Sequence, residues 1–137
     1  MYPEQIVRPM KEELTRNGFT ELTTNEQVDK AIAEKGTTLV VINSVCGCSA
    51  GTARPGVLRA VETSAKRPDH LTTSFAGFDI EAVKHLRKHL LPYTPSSPSI
   101  ALFKDGELVH FIERHNIEGR SAQMIANNLN AAFEAYC

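Results

Sequence analysis

The residues of this chain best suited to chemistry are Cys46 and Cys48, set within Asn43-Ser44-Val45-Cys46-Gly47-Cys48-Ser49-Ala50-Gly51. Alpha carbons two residues apart are separated by no more than about 7 Å. A disulfide wants roughly 4.4 to 6.8 Å, so a bent Cys46-Gly47-Cys48 can close, and Gly47 tolerates the backbone angles required. The ring would be one residue tighter than that of a C-x-x-C pair, and strain makes a disulfide easier to reduce. Such a dithiol suits exchanging or accepting disulfides better than driving reductions.

The elements around the pair must hold it at a junction. Leu39-Val40-Val41-Ile42 is an apolar, β-branched run that predicts a buried strand over Thr37 to Ile42, and a helical pattern begins near Ser49 or Pro55. Where a strand hands over to a helix, free backbone N–H groups and the positive end of the helix dipole favour a thiolate over a thiol. Inert buried cysteines are a poor fit to a glycine-rich turn.

Composition narrows the class. The chain has 137 residues, 42% hydrophobic and 23% charged, with a net charge of −1, which fits one domain with a real core and gives no electrostatic footprint for nucleic acid or an anionic membrane. Met1 to Arg8 lacks the apolar centre of a signal peptide and no stretch has the length of a membrane span, which predicts a cytoplasmic location. Three cysteines in such a chain are too few and too clustered for a disulfide framework.

Before the dithiol, Ile6, Val7, Met10 and Leu14 recur at helical spacing, with Pro9 expected to break the segment or start its second half and Gly18 to end it. Thr24-x-x-Gln27 predicts a capped helix over about Asn25 to Lys35, stopped by Gly36. After the dithiol, Val57, Leu58, Val61 and Ala65 mark a helix, Leu71 to Gly77 a strand, and Asp79 a cap for a helix bearing Val83, Leu86 and Leu90. Ser99 to Phe103 and Leu108 to Ile112 form a hairpin across Asp105-Gly106. Ser121 caps a last helix with Ile125, Leu129, Ala132, Phe133 and Tyr136 on one face.

This order is that of a thioredoxin-like α/β fold, a three-layer arrangement with a central mixed sheet of about four strands, helices on both faces and an N-terminal helical extension. Pro98-Ser99-Ile100-Ala101-Leu102-Phe103-Lys104-Asp105-Gly106-Glu107 resembles the thioredoxin segment that opens on a cis-proline, which would make Pro98 that proline. The resemblance is closer still to the bacilliredoxin family. It rests on Asn43 to Cys48, Ala50-Gly51, Ala53-Arg54-Pro55, Pro95-Ser96-Ser97-Pro98-Ser99, Val109-His110-Phe111-Ile112, Arg114-His115 and Glu118-Gly119.

The resemblance implies a thiol–disulfide oxidoreductase that removes bacillithiol from mixed disulfides on client proteins. Cys46 would be the attacking thiol and Cys48 the resolving one. No bound cofactor is implied; bacillithiol is the thiol co-substrate, and bacillithiol or a reductase supplies electrons. In thioredoxin-like sites the residue before the cis-proline, here Ser97, offers its backbone to the substrate chain. Bacillithiol carries carboxylates, which arginine binds through paired hydrogen bonds, so Arg54 and Arg114 are the candidate contacts. Leu39 to Ile42 supplies no buried acid and Val45 stands where a tryptophan often precedes the first cysteine, features of a specialised exchanger.

Two other readings stay open on the residues. One is a general disulfide isomerase or exchanger. The other is a metal-binding module using Cys46, Cys48, Cys137 and one of His70, His85, His89, His110 or His115, although that spacing matches no zinc pattern. Cys137 reads as non-catalytic.

Overall fold

A computed structural model describes residues 1–137. Helix α1 spans Glu4–Thr15, β1 Thr20–Glu21, α2 Asn25–Ala33 and β2 Thr37–Asn43. A π-helical turn over Ser49–Ala53 then leads into α3, Arg54–Thr63, followed by β3 (His70–Phe75) and α4 (Ile80–Lys88). The chain ends with β4 (Ser99–Lys104), β5 (Glu107–Ile112), α5 (Arg114–Ile117) and α6 (Ala122–Tyr136).

The strands form one mixed sheet in the order β1-β3-β2-β4-β5. β1 and β2 run parallel to β3, while β4 is antiparallel to both β2 and β5. The sheet thus has five strands where about four were expected. The extra one, β1, is two residues long, too short to show the alternation by which a strand is read.

Strand β2 lies at the centre, with all seven residues buried. Its side chains alternate between two cores. Leu39 and Val41 join Leu14, Val57, Leu129 and Phe133 under α1, α3 and α6. Val40 and Ile42 join Val28, Ile32, Val83 and Leu86 under α2 and α4. The period of two along a strand produces this division, and burial on both faces explains the unbroken apolar run.

Several local signals act as their chemistry requires. Thr24 and Gln27 form a reciprocal capping box, and Ser121 Oγ accepts the Met124 N–H at 3.1 Å. Asp105 and Gly106 turn the β4–β5 hairpin with positive φ of 49° and 84°. Both Ser97–Pro98, as expected, and Leu91–Pro92 are cis.

Two expectations are corrected. Pro9 does not break α1. The carbonyl its ring leaves without a partner belongs to Gln5, on the exposed side of the helix, where water can serve it. Asp79 sits at the start of α4 without capping it by its side chain. Its Oδ2 instead accepts the Phe75 N–H at 2.9 Å, and its Oδ1 lies 3.3 Å from Lys11 Nζ.

Candidate active site

The carboxyl end of β2 delivers the chain to the dithiol through Asn43 and Ser44, both buried. The Cys46 carbonyl accepts the N–H groups of Ser49 at 3.0 Å and Ala50 at 3.2 Å, so Cys46 is the residue from which the helix springs. Cys48, at φ −70° and ψ −24°, already has helical geometry. Cβ atoms built at Gly47 and Gly51 would meet nothing within 4 Å, so the tip of the turn faces open space.

The turn is anchored from beneath. Asn43 Oδ1 accepts three hydrogen bonds, from the Ser44 N–H at 2.8 Å, Ser49 Oγ at 3.0 Å and Arg54 Nη1 at 2.8 Å. Its amide donates to the Met10 carbonyl at 3.2 Å, and its own carbonyl accepts the Ala76 N–H at 2.9 Å. Ser44 Oγ accepts the Cys46 N–H at 3.0 Å.

Arg54 is 1% exposed. Besides Asn43, its Nη1 donates to the Ser44 carbonyl at 2.8 Å and to Ser49 Oγ at 3.0 Å. Its Nε lies 3.1 Å from Glu13 Oε2 as an ion pair, at an angle that leaves Nε without a hydrogen bond. This corrects the expectation that Arg54 meets a substrate carboxylate: its guanidinium is engaged under the turn and does not reach solvent.

The turn between β2 and α3 has a chemical cause. Pro55 has no N–H and its ring crowds the carbonyl four residues earlier, that of Gly51. The chain widens into the π turn just before it, with the Arg54 N–H bonding to the Ser49 carbonyl five residues back. Sequence placed the helix start near Ser49 or Pro55, and the structure uses both, one for each kind of turn.

Opposite the thiols, Arg114 begins α5. Its N–H donates to Ser96 Oγ at 3.3 Å, Nη1 donates to the Ser97 carbonyl at 3.2 Å, and Nε pairs with Glu118. Arg87 Nη1 holds the Ser96 carbonyl at 3.0 Å from the other side. Cys46, Ser97 and Arg114 line one depression of about 170 Å³ together with Tyr2, Ser44 and Gly77. A larger cleft of about 430 Å³, between β1, α2 and β3, contains neither thiol.

Tyr2 has no signal in the sequence that would assign it here. Its N–H donates to the Gly77 carbonyl at 3.1 Å, and its ring occupies the space a Cβ at Gly77 would need. Gly77, at φ +83°, is required both for that conformation and for the close approach.

The two thiols differ in acidity. Burial pushes Cys46 up, but hydrogen bonds from the Cys48 thiol, the Ser44 hydroxyl and the backbone N–H groups of Ser49 and Cys48 together outweigh it, leaving Cys46 below the ordinary 9.0. Cys48 is pushed above that value by burial first, then by its hydrogen bond to Cys46 and the negative charge there, with Arg114 opposing. Arg114 is itself raised, by Glu118 first and then by the two thiols. The lowering of Cys46 thus comes from hydrogen-bond donors around the helix start, and the charge of Arg114 interacts with both thiols.

Cys137 lies apart. Burial raises its thiol first; Thr37 opposes this by a hydrogen bond and Asp69 adds to it. Thr37 opens β2 and Asn43 closes it, so Cys137 is about 20 Å from Cys46 at about 3.3 Å per strand residue. The three cysteines cannot share one ion, which removes the metal-module reading as it was framed.

An acidic thiol at the head of a helix, a second thiol two residues on and a neighbouring cis-proline, on a sheet of this order, define a thioredoxin-fold thiol–disulfide oxidoreductase. Solved structures agree on the fold. Mitochondrial thioredoxin 3 of Saccharomyces cerevisiae in its oxidised form matches with a TM-score of 0.58 and 15% identity, over 87% of this chain and 96% of that one. Oxidised thioredoxin O2 of Arabidopsis thaliana matches with a TM-score of 0.61 and 14% identity, over 86% and 96%.

The chain belongs to the bacilliredoxin family. The family model described as Disulphide isomerase matches residues 2–137. A bacilliredoxin of Cytophaga hutchinsonii is 62% identical over 98% of both chains, and one of Geobacillus kaustophilus is 51% identical over 99% of this chain and 94% of its own. No helix is long and apolar enough to cross a membrane.

Proposed function

We propose that this oxidoreductase removes bacillithiol from mixed disulfides on client proteins, with Cys46 as nucleophile and Cys48 as resolving thiol. The observation that carries the reading is the position of Cys46 at the helix start, where backbone N–H groups and Ser44 favour its thiolate. The Cys46 thiolate attacks the bacillithiol sulfur of the mixed disulfide. A Cys46–bacillithiol disulfide forms, the client bond breaks, and the client thiolate leaves and takes a proton from water.

Two routes release the small thiol. Cys48, once deprotonated, attacks Cys46 Sγ, expelling bacillithiol thiolate and leaving a Cys46–Cys48 disulfide for an external reductase. Alternatively a second bacillithiol attacks the bound one and restores the Cys46 thiolate, with bacillithiol disulfide as product. The raised Cys48 favours capture before resolution, since its thiol is little ionised when Cys46 reacts.

Arg114 is the proposed carboxylate contact, being partly exposed and in the same depression as Cys46. Ser97 and Pro98 are the proposed backbone edge for the client chain. The cytoplasm is the proposed location, and the protein needs no nucleic acid or membrane partner for this chemistry.

Intact mass spectrometry tests the reading. Cys48→Ala should accumulate a stable adduct with bacillithiol from a mixed-disulfide client, whereas Cys46→Ala should take up none. Equal adducts from bacillithiol, glutathione and cysteine would favour a general exchanger, and activity retained in Cys46→Ala but lost in Cys48→Ala would reverse the two roles.

A further inference from the structure

A second cluster of ligating side chains lies on the outer face of the α2–α4 layer and shares no residue with the thiol site. Asp29, in the middle of α2, faces His85 and His89, one turn apart on α4 and its C-terminal cap. His85 Nε2 is 2.7 Å and His89 Nε2 3.0 Å from the same oxygen, Asp29 Oδ1. All three ligand atoms lie within 4.8 Å of one another.

Both rings therefore aim the same nitrogen at one point, which lies between two helices. Two imidazoles at i and i+4 share a helix face, and a neighbouring carboxylate completes a three-ligand set. A tetrahedral ion bound at about 2.0 to 2.2 Å needs its ligands roughly 3.3 Å apart. The present separations of Asp29 Oδ1 from the two nitrogens require only a few tenths of an ångström of opening. Asp29 is more than half exposed and the rings are partly so, which leaves a fourth position to water.

We infer that Asp29, His85 and His89 form a binding site for one divalent transition-metal ion of the zinc type. Two nitrogens and one carboxylate oxygen suit zinc, cobalt, nickel or copper and not the all-oxygen preference of calcium or magnesium. On binding, the lone pairs of both Nε2 atoms turn to the metal and each neutral ring carries its proton on Nδ1, so the ion displaces two hydrogen bonds to Asp29. The bound ion joins α2 to α4.

The site is tested in the full chain carrying Cys46→Ser, Cys48→Ser and Cys137→Ser, so that no thiolate can bind metal. Calorimetric titration with Zn2+ should give one ion per chain, and Co2+ should give a visible spectrum of nitrogen and oxygen ligation. His89→Gln and, separately, Asp29→Asn should weaken Zn2+ at least as much as losing a ligand's supporting partner does, about tenfold or more. His110→Gln, on β5, should leave affinity unchanged. Circular dichroism should show each variant folded. The site is overturned if Zn2+ fails to bind the folded thiol-free chain, or if binding persists when His85→Gln and His89→Gln are combined; the cluster is then an ion pair only.

Discussion

Cys46 occupies the position where a helix usually has a serine, threonine or aspartate, and its sulfur collects the N–H bonds such a cap would collect. In a Cys137→Ser background, the alkylation rate of Cys46 with Cys48→Ser should reach half its maximum at a lower pH in the folded chain than in the same variant unfolded in urea. Equal midpoints in the two states would remove the activated nucleophile. Stability follows with a defined sign. Between the lowered value of Cys46 and 9.0 the folded chain binds fewer protons than the unfolded one, so stability rises with pH; above 9.0 the raised Cys48 reverses the slope. In the reduced Cys137→Ser protein, the part of the urea midpoint that depends on these thiols should therefore peak near pH 9.0. Arg54 belongs to the same scale. Arg54→Met removes the charged donor shared by Asn43, Ser44 and Ser49 and should cost about 3 kcal/mol, read from urea unfolding.

Among the elements, α3 is tied most tightly to the site, since it begins with Arg54 and packs on α6. Gly56 makes that packing close. A Cβ there would stand 2.8 Å from Ile125 Cβ and 3.0 Å from the Ala122 carbonyl. Gly56→Ala should cost about 1 to 3 kcal/mol by overpacking, visible as a lower melting temperature with Cys46 acidity kept. Elements with long periodic or capped patterns were legible in the sequence: β2 from its apolar run, α2 from Thr24 and Gln27, the hairpin from Asp105-Gly106. Those with few residues were not. β1 has two, α5 has four, and the π turn depends on how Pro55 is accommodated. The burial of Arg54 was illegible for another reason: its partners Asn43 and Glu13 converge only in three dimensions, and an arginine alone reads as solvated. Tyr2 comes to line the depression beside Cys46 by the same long-range folding.

Across the whole molecule, the two ends of β2 have separate duties. At its start, Asp69 Oδ2 accepts the Thr37 N–H at 2.9 Å, Gly36 donates to Asp105 Oδ1 at 2.8 Å, and Cys137 lies alongside. At its end, Asn43 alone links α1 through Met10, the β3 end through Ala76, and α3 through Arg54. The thiols hang beyond that knot, on a tip with open space around Gly47 and Gly51. A knot of this kind should insulate, so that bending of the tip as sulfur bonds form and break is expected to stop at Asn43, short of the sheet. Amide chemical shifts compared between the reduced and oxidised forms should move around residues 44–50, 97 and 114 and stay put in β2 and α6. The chain is then built as a fixed handle with a small working end, and whatever tells its oxidation states apart has to touch that end.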